Sequence, residues 1–191
     1  MFISKLTKKA IVASLVRLMS DMPLDKITVK DIVDDCDISR NTFYYNYQDI
    51  FAVIEELFEM ELSSLLGAEN ADASWPRCIY DVCTFLSKYK SAVYSMYNSS
   101  RRDFTEKQIR RLISECVRRA VCDVSNGLSV PKADAELVVR FYTYAAEGFI
   151  KNWIETGMKE PIDSLTGSIG RVFGKSMRHI IEDISGNFST D

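Results

Sequence analysis

The stretch over residues 27–47, ITVKDIVDDCDISRNTFYYNY, constrains the fold more than any other part of the chain. Thr28 is a favoured helix N-cap, and the spacing of the apolar residues after it predicts a short helix with one buried face. A break at residues 36–38 follows, where Asp37 can adopt the left-handed conformation of a tight turn. Ser39 is again a favoured N-cap. The sequence therefore predicts a helix-turn-helix, whose second helix enters the major groove of DNA.

The second helix, predicted from Arg40 to about Tyr45, carries more hydrogen-bonding side chains than packing requires, and only Phe43 suits a core. Arg can bridge guanine acceptors and Asn can pair with adenine, so Arg40, Asn41 and Tyr45 are assigned to base readout. Hydroxyl groups, amides and cations suit phosphate oxygens. Phosphate contacts are assigned to six residues: Thr28, Lys30, Ser39, Thr42, Tyr44 and Asn46. A polar surface helix in an ordinary bundle is the alternative.

These residues resemble the TetR family of one-component transcriptional regulators. The matching pattern consists of the capping Thr28, the turn through Asp37, then Ser39 and the aromatic run over residues 43–47. The phrase ITVKDIVDDCDISRNTFYYNYQDIF is closest to a branch of the family that includes regulators of dihydroxyacetone kinase operons. The resemblance suggests this branch without identifying a target gene.

The resemblance implies an all-helical protein of about nine helices. It implies a three-helix helix-turn-helix DNA-binding domain at residues 1–48, and an effector-binding and dimerisation domain at residues 49–191. The implied function is a DNA-binding regulator, a repressor released by a small-molecule effector. The alternative is a helical interaction protein, or a coactivator-dependent activator controlled by a partner protein. The implied partners are a palindromic double-stranded operator, a second copy of the chain and an unidentified small-molecule or protein effector.

Three positions depart from the family pattern. Asp37 stands where Gly is usual, and a left-handed conformation there costs about 1 kcal/mol. Ile50 stands where many members place a phosphate-contacting Lys. Asn46 stands where His is common, and it can donate a hydrogen bond but cannot acquire a charge.

The charge of the chain restricts how it can attract DNA. The formal net charge is -3, and residues 1–48 carry seven Lys or Arg against six Asp, a balance of +1. Overall basicity therefore cannot drive nucleic-acid binding, and the attraction has to be local. The expected phosphate-facing cations are Lys5, Lys8, Lys9, Lys30 and Arg40.

Other function classes find little support in the sequence. No catalytic, cofactor or metal residues are assigned, because the single His179 has no spaced nucleophile and no glycine-rich phosphate loop is present. The sequence has no apolar run long enough to span a bilayer and no signal peptide, which predicts a cytoplasmic protein with no membrane partner.

The five cysteines are odd in number and include no CxxC pair, so neither a disulfide framework nor a zinc site is predicted. Most are expected to be small buried hydrophobes. The alternative is a thiol sensor made from Cys78 and Cys83, or from Cys116 and Cys122.

Helical periodicity, with Gly, Pro, Asn or Ser at the boundaries, predicts the remaining architecture. Helices are expected over residues 4–22, 49–66, 92–97, 104–125, 132–155 and 162–184, with a further one beginning at Trp75. The small, polar segment over residues 68–74 is the expected connection between the two parts.

The last two helices are predicted to form an assembly surface. Apolar stripes run along both, and two glycines four residues apart indicate close approach of another helix. A two-fold dimer through a four-helix bundle would use Phe141, Gly148, Ile169, Gly170, Phe173, Gly174 and Met177. The core of a monomer is the alternative explanation of the same stripes.

Interleaved aromatic and polar residues are the candidates for an effector pocket. They are Cys83, Tyr94, Tyr97, Phe104, Tyr142 and Trp153, and each of them could equally belong to the core. Three arginine doublets, at residues 101–102, 110–111 and 118–119, are interpreted as a solvated helical face, with an anionic-ligand or protein site as the alternative.

Overall fold

A computed structural model of the chain describes residues 2–67 and 74–186, with side chains from Lys5 onward. Every long regular element in these ranges is an α-helix, which confirms the all-helical class. The helices are α1 (Phe2–Asp21), α2 (Val29–Cys36), α3 (Arg40–Asn46), α4 (Ile50–Leu65), α5 (Trp75–Lys88), α6 (Lys90–Tyr97), α7 (Arg102–Val124), α8 (Lys132–Glu155) and α9 (Ile162–Ile184). Most of the connection predicted over residues 68–74 lies outside the described ranges.

Local capping explains why the helix-turn-helix forms where the sequence predicts it. The Thr28 hydroxyl accepts a hydrogen bond from the Asp31 N–H at 3.3 Å, and the Asp31 carboxylate accepts one from the Thr28 N–H at 2.8 Å. This reciprocal pair satisfies two amide donors that the first turn of α2 would leave free. Asp37 ends α2 with φ 52° and ψ 49°, the predicted left-handed conformation, and Ser39 caps α3 through the Thr42 N–H at 3.0 Å.

The chain separates into two compact units. Unit 1 comprises Met1–Leu66 and Lys88–Gln108. Within it, α1 packs against α2, α3, α4 and α6. The core side chains of this unit include Ile11, Leu15, Ile32, Phe43 and Phe58, each of them almost fully buried. Unit 1 thus contains the helix-turn-helix together with two further helices that cover α1.

Contacts from α6 and the residues after it fix the loop between α1 and α2. The Ser95 hydroxyl accepts a hydrogen bond from the Leu24 N–H at 2.8 Å and donates to the Met22 carbonyl at 3.3 Å. The Asp25 carboxylate accepts hydrogen bonds from the Ser100 N–H at 2.9 Å and from its hydroxyl at 3.0 Å. The polar groups of this loop are therefore satisfied by residues more than 70 positions away.

Unit 2 comprises Gly67–Ser87 and Ile109–Asp191. Its core is aromatic where α5, α8 and α9 meet, because the Phe173 ring stacks on Trp75 with centroids 6.0 Å apart and also meets the edge of Tyr142. Gly170 lies in this contact: a Cβ added to it would stand 3.0 Å from the Pro76 side chain. The close approach that this glycine permits is therefore made by α5 of the same chain.

The structure corrects the prediction that the cysteines form no disulfide. Cys78 on α5 is bonded to Cys116 on α7, with Cα atoms 5.7 Å apart. Neither predicted sensor pair is the bonded one, and Cys36, Cys83 and Cys122 are free thiols. The two partners are 38 residues apart, and the sequence holds no spacing signal for a pair that tertiary packing brings together.

The helices of the described ranges differ from membrane-spanning segments. No helix there combines the length and the apolar character that crossing a bilayer requires.

Candidate nucleic-acid interface

Helix α3 presents nearly all of its side chains to solvent. Phe43 is its single buried residue and is 0% exposed, whereas Tyr44 is 56% and Tyr45 is 85% exposed. Arg40 and Asn41 are exposed as well. Among the described residues, none offers a hydrogen bond to the side chains of Arg40, Asn41 or Tyr45. The three side chains assigned to base readout therefore lie on one short helix with their polar groups available.

Several residues assigned to phosphate are already engaged inside the helix-turn-helix. The hydroxyls of Ser39 and Thr42 lie 2.9 Å apart, and the Asn46 amide donates to the Thr42 carbonyl at 2.8 Å. The Thr28 hydroxyl donates to Asp31 at 2.6 Å. The Thr28 hydroxyl hydrogen is thus used locally, whereas the Ser39–Thr42 pair uses only one of its two hydroxyl hydrogens. The exposed Lys30 is the phosphate candidate that carries a positive charge.

Lys8, one of the expected phosphate-facing cations, pairs with an acidic side chain of the same unit. Its Nζ donates to the Glu56 carboxylate at 2.9 Å and lies 5.3 Å from the centre of the Tyr47 ring. It therefore joins α1 to α4, and its charge is neutralised by an acidic partner. The sequence separation of 48 residues explains why the pairing could not be predicted.

A second ion pair ties α1 to α2. The Arg17 guanidinium binds the Asp35 carboxylate through two nitrogens, with Nε 3.2 Å from Oδ1. Ser14 and Arg17 hydrogen bonds hold the pKa of Asp35 below its usual value. Because the acidic group on α2 is paired with α1, its negative charge is partly compensated near the helix-turn-helix.

The six predicted pocket residues are distributed over both units. Tyr94, Tyr97 and Phe104 belong to unit 1, and Cys83, Tyr142 and Trp153 belong to unit 2. In unit 2 the polar tips are engaged: the Tyr142 hydroxyl bonds Ser176 at 2.8 Å, and the Trp153 indole donates to the Glu160 carbonyl at 2.9 Å. Burial raises the pKa of the Cys83 thiol to about 12, since the charged form is disfavoured there. These contacts correspond to the core alternative.

A surface cavity of about 260 Å³ lies elsewhere in unit 2, beside the turn between α7 and α8. It combines the cationic Arg118 and Lys132 with apolar side chains such as Val121 and Leu128. None of the six predicted pocket residues lines it.

Burial divides the residues predicted for the dimer interface into a covered set and an exposed set. Ile169, Phe173 and Met177 are at most 5% exposed in the single chain, and Gly170 faces Pro76. Side chains covered by their own chain are not available to a second copy. Phe141 is 61% exposed, and Gly148 and Gly174 are exposed too.

An exposed apolar face remains on unit 2, and we call it the α8 face. Its large members on α8 are Leu137, Phe141, Tyr144 and Phe149, and Val172 of α9 is also exposed. The first three recur at the three- and four-residue spacing of one helical face. The apolar stripe predicted along α8 includes this face, whereas many residues of the stripe predicted along α9 are buried.

The arginine doublets form ion pairs rather than a free anion site. Arg102 donates to Glu106 at 2.9 Å, and Arg110 binds Glu147 through two hydrogen bonds of 2.7 and 2.8 Å. Arg101 lies 4.7 Å from the centre of the Phe51 ring. These partners agree with the interpretation of a solvated, salt-bridged helical face.

A protein-family model matches the C-terminal part of the chain. A TetR C-terminal model, described as "Transcriptional regulator C-terminal region", matches residues 73–175, more than half of the chain. The chain belongs to the TetR family of transcriptional regulators. The match begins beyond the helix-turn-helix, so the N-terminal resemblance and the C-terminal match are independent.

Solved structures of TetR proteins share the fold along most of the chain. The dihydroxyacetone kinase operon activator DhaS has a TM-score of 0.75 at 16% identity and covers 91% of this chain and 97% of its own. A TetR transcriptional regulator from Streptococcus agalactiae 2603V has a TM-score of 0.62 at 16% identity and covers 88% and 94%. No curated protein sequence matches the chain significantly. At this identity the two structures establish the TetR fold alone.

Proposed function

We propose that this TetR-family regulator is a cytoplasmic homodimer that reads a palindromic DNA operator. Residues 1–48 would bind DNA, and residues 49–191 would dimerise and respond to an effector. Arg40, Asn41 and Tyr45 contact base edges, and Lys30 contacts phosphate. Thr28, Ser39, Thr42, Tyr44 and Asn46 lie along the phosphate backbone. There the phosphate oxygens accept hydrogen bonds from the exposed Tyr44 hydroxyl, from the hydroxyl hydrogen that the Ser39–Thr42 pair leaves unused, and from backbone amides at the start of α3.

The observation that carries this proposal is the outward presentation of α3. A seven-residue helix that buries only Phe43 and leaves an Arg, an Asn and a Tyr unpaired gains little stability from those three side chains. Arg and Asn are the residue types that read guanine and adenine in the major groove. Base recognition accounts for their presence better than solubility does, since a soluble surface does not need this combination.

The deciding experiment measures binding of the full chain to DNA upstream of its own gene and to random DNA across a salt series. Arg40→Ala should weaken cognate binding by about 1 to 3 kcal/mol and reduce the preference over random DNA. Lys30→Ala should weaken both DNAs alike and reduce the salt slope by about one unit.

Arg77→Ala is the matched control, because Arg77 is an exposed arginine of α5 paired with Asp81 in unit 2. It should leave both affinities unchanged. Equal losses on cognate and random DNA for Arg40→Ala would contradict base readout by Arg40. Absence of salt-dependent DNA binding by the unmodified chain would contradict the proposed function as a whole.

The α8 face supports a homodimer. Four large apolar side chains of one helix are exposed to solvent, and contiguous exposed apolar patches of this kind mark interaction sites. A two-fold dimer places two recognition helices on half-sites about 34–36 Å apart. Phe141→Glu should therefore raise the dimer dissociation constant in sedimentation equilibrium. Met60→Glu, on the exposed side of α4 in unit 1, is the control.

The regulator can act on transcription in two ways, as a repressor or as an activator. The first is a repressor released by a small-molecule effector. The second is an activator under the control of a partner protein, and it is favoured by the fold likeness to a protein named as an operon activator. A reporter gene placed behind the bound DNA distinguishes them, because deletion of the regulator raises expression in the first case and lowers it in the second.

A further inference from the structure

The bond between Cys78 and Cys116 lies inside unit 2. The two residues are 4% and 1% exposed, and their Cα atoms are 5.7 Å apart. Disulfides occur at Cα separations of about 4.4 to 6.8 Å, so these backbone positions are compatible with a bond. Two thiols can occupy the same backbone positions. The folded chain can therefore hold this pair in either oxidation state.

The position of the bond gives it structural consequences. Cys78 follows Trp75 and Pro76 by less than one helical turn on α5, and both of those residues pack against α9. Cys116 belongs to α7. The bond thus fastens to α7 the end of α5 that supports α9. Without it, this end of α5 is held to α7 by non-covalent packing alone.

We propose that Cys78 and Cys116 are a reversible dithiol-disulfide pair, oxidised by a small peroxide, whose oxidation stabilises the packing of α5 on α9 and the dimer formed beside it. The part concerning the dimer rests on the proposed function. Disulfides in a reducing compartment are usually transient and redox-sensing, which fits a regulator that works there.

The chemistry balances with hydrogen peroxide as the oxidant. A local opening exposes one thiol to water, where it can ionise. Its thiolate attacks a peroxide oxygen, the O–O bond breaks, and the released hydroxide takes up a proton as water. The second thiolate attacks the resulting sulfenic sulfur, the S–S bond forms, and the S–O bond breaks with loss of a second water. Two thiols and one peroxide therefore give one disulfide and two waters. A dithiol reductant reverses the change by exchange, becomes a cyclic disulfide and supplies the two protons.

Backbone separation selects the pair, and burial restricts the reagent. Cys83 is fully buried and is not the bonded partner of Cys78, although both lie on α5. Cys122 is exposed and open to bulky thiol reagents. The bonded sulfurs are covered, so a molecule the size of peroxide reaches them through small local openings, whereas a large disulfide such as oxidised glutathione requires a larger one.

The link to assembly runs through Phe173. Its ring stacks on Trp75 and also lies 6.1 Å from the ring of Phe149, which is half-exposed on the α8 face. Restricting α5 limits the movement of this aromatic cluster. The oxidised chain then presents the α8 face with less conformational freedom to lose on association, and association becomes tighter.

The test uses the full chain after treatment with hydrogen peroxide and after treatment with dithiothreitol. Peptide mass spectrometry without reductant measures the Cys78–Cys116 linkage, hydrogen exchange measures the α5 amides, and sedimentation equilibrium measures the dimer dissociation constant. Oxidation should join the pair, slow α5 exchange by at least about threefold, and tighten the dimer. Cys78→Ser and Cys116→Ser should lose all three responses, and Cys122→Ser should retain them.

The comparison of the two oxidation states of the unmodified chain does not depend on how well the variants fold. Failure of peroxide to join the pair, or identical α5 exchange in both states, overturns the proposal. If peroxide joins the two cysteines and slows amide exchange in α5 but leaves the dimer dissociation constant unchanged, the part of the proposal that concerns the dimer is overturned. A chain that is monomeric in both states overturns the proposed dimer and the assembly part with it, while the linkage and exchange measurements still decide the redox pair.

Discussion

Helices α3 and α9 use their side chains in opposite ways. One residue of the seven in α3 is buried, and Arg40, Asn41, Tyr44 and Tyr45 are exposed to solvent. In α9, six of the 23 residues are buried, and α5 and α8 of the same chain cover them. A helix of two turns has one position for a core anchor, while a helix of six turns carries a continuous stripe. Helix α3 therefore exposes polar side chains, whereas α9 buries its apolar stripe within unit 2.

Exposed polar side chains and a buried apolar stripe differ in what they say about a binding partner. Exposed polar side chains that form no hydrogen bond within the described residues, such as those of Arg40 and Asn41, are available to water or to a ligand outside the chain. An apolar stripe carries no such information, since any apolar surface covers it equally well. The proposed assembly surface of unit 2 therefore rests on the apolar residues that remain exposed, such as Phe141, and not on the stripe of α9.

The largest expected effect comes from Phe173. Phe173→Ala removes a ring that contacts Trp75, Tyr142 and Phe149 and is 5% exposed, so it should lower the free energy of unfolding by about 3 to 5 kcal/mol. Urea denaturation at two protein concentrations measures this. The neighbouring Val172→Ala, at a 65% exposed position, is the control and should change stability by about 0.5 kcal/mol or less. If Phe173→Ala lost stability only at the higher protein concentration, Phe173 would belong to the dimer interface instead of the core.

Local sequence signals predicted α3 well and the long-range contacts poorly. Thr28, Asp37 and Ser39 act within four residues of themselves, and capping and turn chemistry depend on such short distances. The Lys8–Glu56 pair and the Cys78–Cys116 bond join residues 48 and 38 positions apart. No periodicity encodes these pairings, because they follow from how the helices pack. The exposed helix that carries the base-reading candidates could therefore be predicted from the sequence, whereas the contacts that bury several ligand and interface candidates could not.

A smaller effect is expected from the cap of α2. Thr28→Ala removes the hydroxyl that accepts the Asp31 N–H and should cost about 1 kcal/mol of stability. Thermal unfolding of the full chain measures it. Thr28→Ser retains the hydroxyl and should restore most of the loss. An alanine variant as stable as the unmodified chain would show that packing of α2 against α1, rather than capping, fixes the start of the helix.

A still smaller effect separates Lys8 from the cations that face DNA. Lys8 and Glu56 are about one-third exposed, so Lys8→Met should cost between about 0.2 and 1 kcal/mol. Because its charge is directed at Glu56, the variant should bind DNA with an unchanged salt slope. Lys30→Ala, measured beside it, should reduce the slope. A reduced slope for Lys8→Met would place Lys8 at the phosphate backbone after all.

The smallest effect is the pH dependence of the α2 cap. The hydrogen bonds from the Thr28 hydroxyl and N–H lower the pKa of Asp31 below 3.8. A carboxyl whose folded pKa is lowered contributes stability above its unfolded pKa, and the contribution disappears as the pH falls through the folded pKa. The difference in midpoint temperature between the unmodified chain and Asp31→Asn should therefore be constant near neutral pH and shrink below about pH 4. Asp34→Asn, at an exposed position outside the capping box, is the control. A difference that does not shrink in acid would mean that Asp31 supports α2 through its shape and not through its charge.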